Sequence, residues 1–212
     1  MKLTFEVFNI IANCILGLNF ILYLSQFNKR DRAFKIYTLY IGVIVIIQIV
    51  SKVFVKFGYE NLSVSHFYFI LQFIMLSLFY LELFKEKYQK NLIKISLISI
   101  PFVIILNLII NTNLIFKFSL LEIAMTSLAI IVYSTFHFYN MLSSKKYFYF
   151  VNCGILIYIF GSSVPFLMHN LQFTYGEDFA WLVMLLNVVL YTIYQILVLI
   201  EWKVNFSKNK NE

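Results

Sequence analysis

Glu122 lies in the apolar stretch LLEIAMTSLAIIVYS, between Leu121 and Ile123. An ionisable group at membrane depth costs several kcal/mol, and so marks a functional site by default. Six other apolar stretches each offer one polar side chain at a comparable position: Asn13, Gln48, Gln72, Asn107, Ser162 and Asn187. At about 1.5 Å of rise per residue, all seven fall roughly 6–12 Å from the same predicted side of their spans. His66 lies near that side too. An acid within such a layer suits a proton, a small cation or an amine-bearing ligand. The competing role is structural, with a protonated carboxyl and the amides bonding helices together. The expected ligand-binding residues are Glu122, Asn13, Gln48, Gln72, Asn187, His66 and Ser162.

The elements that must hold this layer follow from composition. Of 212 residues, 61% are hydrophobic and 13% charged, with six Gly and two Pro. Apolar runs of about 20 residues match roughly 30 Å of hydrocarbon. Without water the backbone must satisfy its own hydrogen bonds, which favours helices. The expected fold is all-α, a polytopic membrane protein with seven transmembrane helices. The spans are 5–26, 36–55, 64–84, 95–111, 114–139, 147–168 and 179–202. Residues 1–203 form a single bundle in this reading, and 204–212 a short basic cytoplasmic tail.

The connections carry alternating charge. Lys29, Arg30, Arg32 and Lys35 lie after the first span, and Lys85, Lys87, Lys90 and Lys94 after the third. Lys145 and Lys146 follow the fifth, and Lys203, Lys208 and Lys210 the seventh. Thirteen of the 17 basic residues thus share one side. Basic residues stay cytoplasmic, so the N-terminus is expected outside and the C-terminus inside. The net charge of +7 is a topological charge on this reading and calls for no nucleic acid. The lipid bilayer is the partner it implies, and every loop is too short for a soluble domain.

Polar residues recur at helical spacing. Glu6, Asn9, Asn13 and Gly17 share a face, as do Glu122, Thr126, Ala129 and Tyr133, and Asn187, Tyr191 and Tyr194. The sixth span, FVNCGILIYIFGSSVPFLMHN, places Gly154 and Gly161 seven apart and Pro165 one turn later. Pro165 cannot bond back to Gly161, so this span is the expected conformational element.

Several chemistries lack their residues. His137 sits most of a membrane away from His66 and His169, and no HxxxH spacing occurs, so no metal is assigned. Lys203 lies at the membrane edge, which disfavours a Schiff-base cofactor, and none is expected. GxSxG and Gly-rich phosphate loops are absent. Cys14 and Cys153 fall in different spans, which disfavours a disulfide. An intramembrane enzyme is therefore the least supported reading.

Three stretches carry a resemblance. Asn61-Leu62 with His66, Tyr68, Gln72 and Phe73 opens the third span. Asn152, Gly154-Ile155-Leu156, Tyr158, Gly161-Ser162 and Asn170 mark the sixth, and Trp181, Asn187 and Trp202-Lys203 the seventh. With the size and span count, these resemble a group of uncharacterised small seven-span inner-membrane proteins of Bacteroidota. Members of that group often carry an acid where this chain has Gln72, which would leave Glu122 as the buried acid here. Their genes often lie beside sensor histidine kinases. The resemblance implies a sensor or accessory protein of a bacterial inner membrane, with a sensor histidine kinase or another signalling protein as partner. A small-solute or proton-coupled transporter is the alternative. It requires polar groups continuing inward, through Tyr133, Tyr191, Tyr194, Gln195 and His137.

Overall fold

An apolar chain with few glycines and prolines satisfies its backbone most simply by coiling, and helices are what form. The computed structural model describes residues 2–59, 61–112, 119–143, 146–169 and 176–207, without the side chains of 164–169 and 177. Among the described residues there are seven α-helices and no strands. They are α1 (Lys2–Ser25), α2 (Arg32–Lys56), α3 (Leu62–Leu83), α4 (Lys87–Ile110), α5 (Leu120–Met141), α6 (Tyr149–His169) and α7 (Glu177–Glu201). A 3-10 turn, Phe27–Lys29, follows α1, and a π-helical turn, Trp202–Phe206, ends α7. Six helices are long and apolar enough to cross a membrane. The seventh, α6, has described side chains only to Ser163, and the apolar part Tyr149–Ser163 is shorter.

The chain divides into two compact units. One comprises Met1–Arg30 with Ser134–Glu212, and the other Asp31–Tyr133. Helix α5 supplies residues to both.

In the unit Asp31–Tyr133, α3 packs on α2 and on α4. Asp31 caps α2 by accepting the Phe34 N–H at 3.3 Å. The other end of α2 closes on Gly58, whose φ of 77° is open to glycine. Gly58 N–H donates to Val55 O and Tyr59 N–H to Phe54 O, while the Phe54 and Tyr59 rings meet at 6.2 Å. Along α2, Phe34, Tyr37, Ile41 and Ile44 are buried. Tyr37 meets Phe79 of α3 at 5.2 Å between ring centroids. Beyond Gln48 the large side chains Ile49, Val53 and Val55 are exposed, as a lipid-facing surface requires.

In the other unit, α7 packs on α1 and α6. The buried line on α1 is Ala12, Leu16, Asn19 and Tyr23. This corrects the expected stripe: Glu6 is exposed and Asn9 and Asn13 are half-buried. Asn13 is one residue, or about 100° of helix, off the buried line that starts at Ala12. Gly17 has open space where a Cβ would sit, so it serves no close approach. Asn19 is the polar residue that turns inward, donating to Gln195 O at 2.9 Å and Gln195 Oε1 at 3.0 Å. Tyr23 donates to Val198 O at 3.1 Å, and Trp202 Nε1 to Leu22 O at 3.1 Å.

Candidate functional site

The site begins at two helix starts. The sequence reading runs the fifth span from 114, but Ser119 is not helical and α5 starts at Leu120. Residues 113–118 lie outside the described residues. The reason for the start is local. Ser119 and Glu122 have the Ser-x-x-Glu spacing of a helix N-terminus, and Ser119 Oγ accepts the Glu122 N–H at 3.4 Å. Glu122 therefore occupies the first turn of α5, where the positive end of the helix dipole favours a carboxylate. Thr126 donates to the Glu122 carbonyl at 2.7 Å and fixes the next turn.

In the Ser-x-x-Glu pattern the glutamate side chain usually folds back to its own helix start. Here it reaches across to α3. Glu122 Oε2 lies 2.6 Å from Nδ1 of His66, in the first turns of that helix. Both side chains are buried, at 1% and 8% exposure. The second oxygen, Oε1, is buried and has no hydrogen-bond partner among the described residues. An acid in apolar surroundings thus has one oxygen committed and one with unused accepting capacity.

The other expected lining residues lie as follows. Gln72, about two turns further along α3, donates to Tyr40 OH at 3.2 Å and Tyr68 OH at 3.0 Å, tying α3 to α2. Gln48 is half-buried where the buried line of α2 ends. These two share the unit of His66 and Glu122, whereas Asn13, Ser162 and Asn187 belong to the other unit. Asn13 donates to Asn9 O at 2.6 Å within its own helix. Ser162 bonds back to Ile159 O at 3.5 Å. Asn187 is half-buried, with Oδ1 buried and unpartnered among the described residues. Of the seven expected residues, the hydrogen bonds among the described residues join one pair, His66 and Glu122.

Gly154 and Gly161 serve packing. A Cβ on Gly154 would lie 2.7 Å from the Tyr194 ring, and one on Gly161 2.7 Å from Leu190 Cδ1. Helix α6 continues as helix through Pro165 to His169, and the side chain of Pro165 lies outside the described residues. Pro101, inside α4, is a second helix-interior proline that the sequence reading passed over.

The reading of Glu122 as the buried acid needs correction as well, because Glu201 is fully buried at the end of α7. Its Oε2 accepts the Phe150 N–H at 2.7 Å and the Val151 N–H at 3.4 Å, capping α6. Its Oε1 accepts Asn205 Nδ2 at 2.6 Å. The turn before α6 is shaped to allow this. Phe148 has φ 57°, its ring meets Phe206 at 5.2 Å, and His137 Nε2 donates to Tyr147 O at 2.9 Å. Arg30 closes the cluster by donating to Phe206 O at 2.7 Å. From sequence, Glu201-Trp202-Lys203 has the composition of a membrane edge, and nothing local marks the acid as buried.

Most of the polar groups expected along an inward path are engaged by residues outside that set, His137 by the Tyr147 carbonyl among them. Tyr133 bonds Ser96, Gln195 bonds Asn19, and Tyr158 stacks on Tyr194 at 5.6 Å. Ser134 and Asn152 bond reciprocally, at 3.0 and 3.1 Å. Such pairs act as glue between helices.

No family model, curated protein or solved structure matches the chain.

Proposed function

We propose that the chain is a small seven-helix sensor or accessory protein of a bacterial inner membrane. In this reading its N-terminus lies outside, and the cue acts at the His66–Glu122 pair. A single observation carries it: a buried carboxylate in an apolar unit keeps one oxygen without a partner among the described residues while the other holds a helix two elements away. A group that served stability alone would be expected to use both oxygens, since an unmet buried acceptor costs about 1–3 kcal/mol. A change in occupancy at Oε1 alters the tie between α3 and α5. Helix α5 carries that change along its length toward the end with the basic loops, where a cytoplasmic or membrane-bound signalling protein would read it. The charge bias of those loops supports the orientation.

Transport draws less support. Of the side chains along the alternative path, Tyr133, Gln195 and His137 are already bonded to Ser96, Asn19 and the Tyr147 carbonyl, which leaves fewer polar groups to line a passage.

The test is in-cell crosslinking of the tagged full chain, followed by affinity recovery and mass spectrometry, for wild type and Glu122→Gln. Repeated recovery of a sensor histidine kinase or other signalling protein, in a yield that changes with Glu122→Gln, is the expected outcome. Recovery of the chain alone, or an unaffected yield, sinks the sensor reading.

A further inference from the structure

The identity of the cue can be narrowed, on the premise that the His66–Glu122 pair is the responsive site. The pair is closed. Glu122 is 1% exposed; Ser119 before α5, Ile123 and Thr126 on α5, and Val64 and Phe69 near His66 along α3 are buried. A ligand of several atoms would need this packing to open. A divalent ion would need more ligands, and among the described residues no group of three His, Cys, Asp or Glu side chains forms. A proton needs neither room nor further ligands.

Among the described residues, the charges on the elements around the pair lie as follows. At the same end, α2 carries Lys52 and Lys56, both exposed, and α4 ends on Asn107 and Asn111 without a charge. Within α3, Tyr68 is engaged with Gln72. On α5, Glu122 is the one charged residue before Tyr133. Lys117 lies outside the described residues. The other charges of α2, α3 and α4, such as Arg32, Glu82 and Lys94, fall toward the opposite helix ends, and Arg32 pairs with Glu82 at 3.2 Å.

We infer that the His66–Glu122 pair is a proton-binding site, with Oε1 of Glu122 as the accepting atom and the α3–α5 tie as what the proton changes. A proton given up by hydronium in the solvent ends on Oε1. One O–H bond forms, one breaks, and water leaves, with no redox partner. The carboxylate becomes a carboxyl, and the bond from Nδ1 to Oε2 loses its charge assistance. Charge-assisted bonds are roughly twice as strong as neutral ones, so the tie slackens when the proton arrives.

The experiment is pH-difference infrared spectroscopy on the full chain in lipid, read at the carboxylic C=O band, for wild type, Glu122→Gln, His66→Gln and Glu201→Gln. The expected result is a band that grows on acidification while the amide signal holds. It is lost in Glu122→Gln, displaced in midpoint in His66→Gln and retained in Glu201→Gln. Should Glu122→Gln fail to fold, dicyclohexylcarbodiimide labelling of the wild type replaces it, because the reagent modifies buried protonated carboxyls. Modification of Glu122 should rise as pH falls. No Glu122-dependent band and no pH-dependent labelling would overturn the inference. So would a band that responds to sodium or potassium at fixed pH. A titrating pair without any recovered partner would defeat the sensor reading alone. A recovered partner with a pair that does not titrate would defeat this inference alone.

Discussion

Glu122 and Glu201 are both buried carboxylates on apolar helices, and they spend their oxygens differently. Glu201 takes two backbone N–H groups at the start of α6 on one oxygen and the Asn205 amide on the other. Glu122 holds His66 with one oxygen and leaves the other without a partner among the described residues. Burial alone therefore does not separate a structural acid from a responsive one. The two acids differ in unused hydrogen-bonding capacity, and on the reading proposed above it is this difference that lets Glu122 respond to a ligand. The comparison also explains why a second acid can be tolerated in so apolar a chain. Glu201 does the work of a helix cap, replacing water for donors that a helix start leaves open.

The largest expected effect is at Glu201. Glu201→Ala removes the acceptor from Phe150, Val151 and Asn205 at once, with a cost of roughly 2–5 kcal/mol from stranded donors. Thermal unfolding in detergent should show a large loss of folded protein, and Glu201→Gln, which keeps an acceptor, much less. A Glu201→Ala chain that melts like wild type would erase the distinction between the acids.

The packing beside Glu201 comes next. Gly154→Ala drives a methyl group against the Tyr194 ring, which is itself stacked on Tyr158. Gly161→Ala meets the tip of Leu190, which can turn aside. Gly154→Ala should cost about 1–3 kcal/mol and Gly161→Ala less. Equal losses would indicate that the Tyr194 ring has the same freedom to move as Leu190.

At the other acid the loss should be smaller and reversible in part. Glu122→Leu strands His66 Nδ1 at about 1–3 kcal/mol, whereas Glu122→Gln keeps an acceptor and stays close to wild type. A cycle with His66→Leu should return a coupling of about 0.5–3 kcal/mol. Zero coupling would mean that the pair contributes nothing to holding α3 against α5. Loss as great as at Glu201 would make Glu122 a structural acid too.

The all-helical fold of the described residues was readable from sequence because each apolar run approaches the length of a membrane crossing and each break carries charge or turn residues. Helix faces were less readable. On α1 the sequence pattern favoured Asn13, while the buried line passes through Asn19, and only the position of Gln195 on another helix decides between them. Of the candidate site, the types and rough level of His66 and Glu122 could be named from composition, but their bond joins residues 56 apart and depends on tertiary packing. Asn13, Ser162 and Asn187 had equal standing as polar residues in apolar runs, yet Asn13 and Ser162 turn to their own backbones. The burial of Glu201 was illegible for a similar reason: its partners Phe150 and Val151 lie 51 and 50 residues away.

One local signal is present in the sequence, and a fifth span begun at 114 passes over it. Ser119-Leu120-Leu121-Glu122 has the spacing of a helix start, and the position of Glu122 relative to His66 depends on that start. Ser119→Ala removes a long bond of 3.4 Å, so its stability cost should be small, about 0.5–1 kcal/mol. Its value lies in where the effect appears. If α5 begins where Ser119 sets it, the substitution frays the first turn and weakens the coupling measured between His66 and Glu122, while Glu201→Ala retains its full cost. Amide hydrogen exchange at residues 120–123 should rise in Ser119→Ala and stay unchanged at Phe150 and Val151. Exchange that does not respond at Glu122 would show that His66, rather than the helix start, fixes the carboxylate in place.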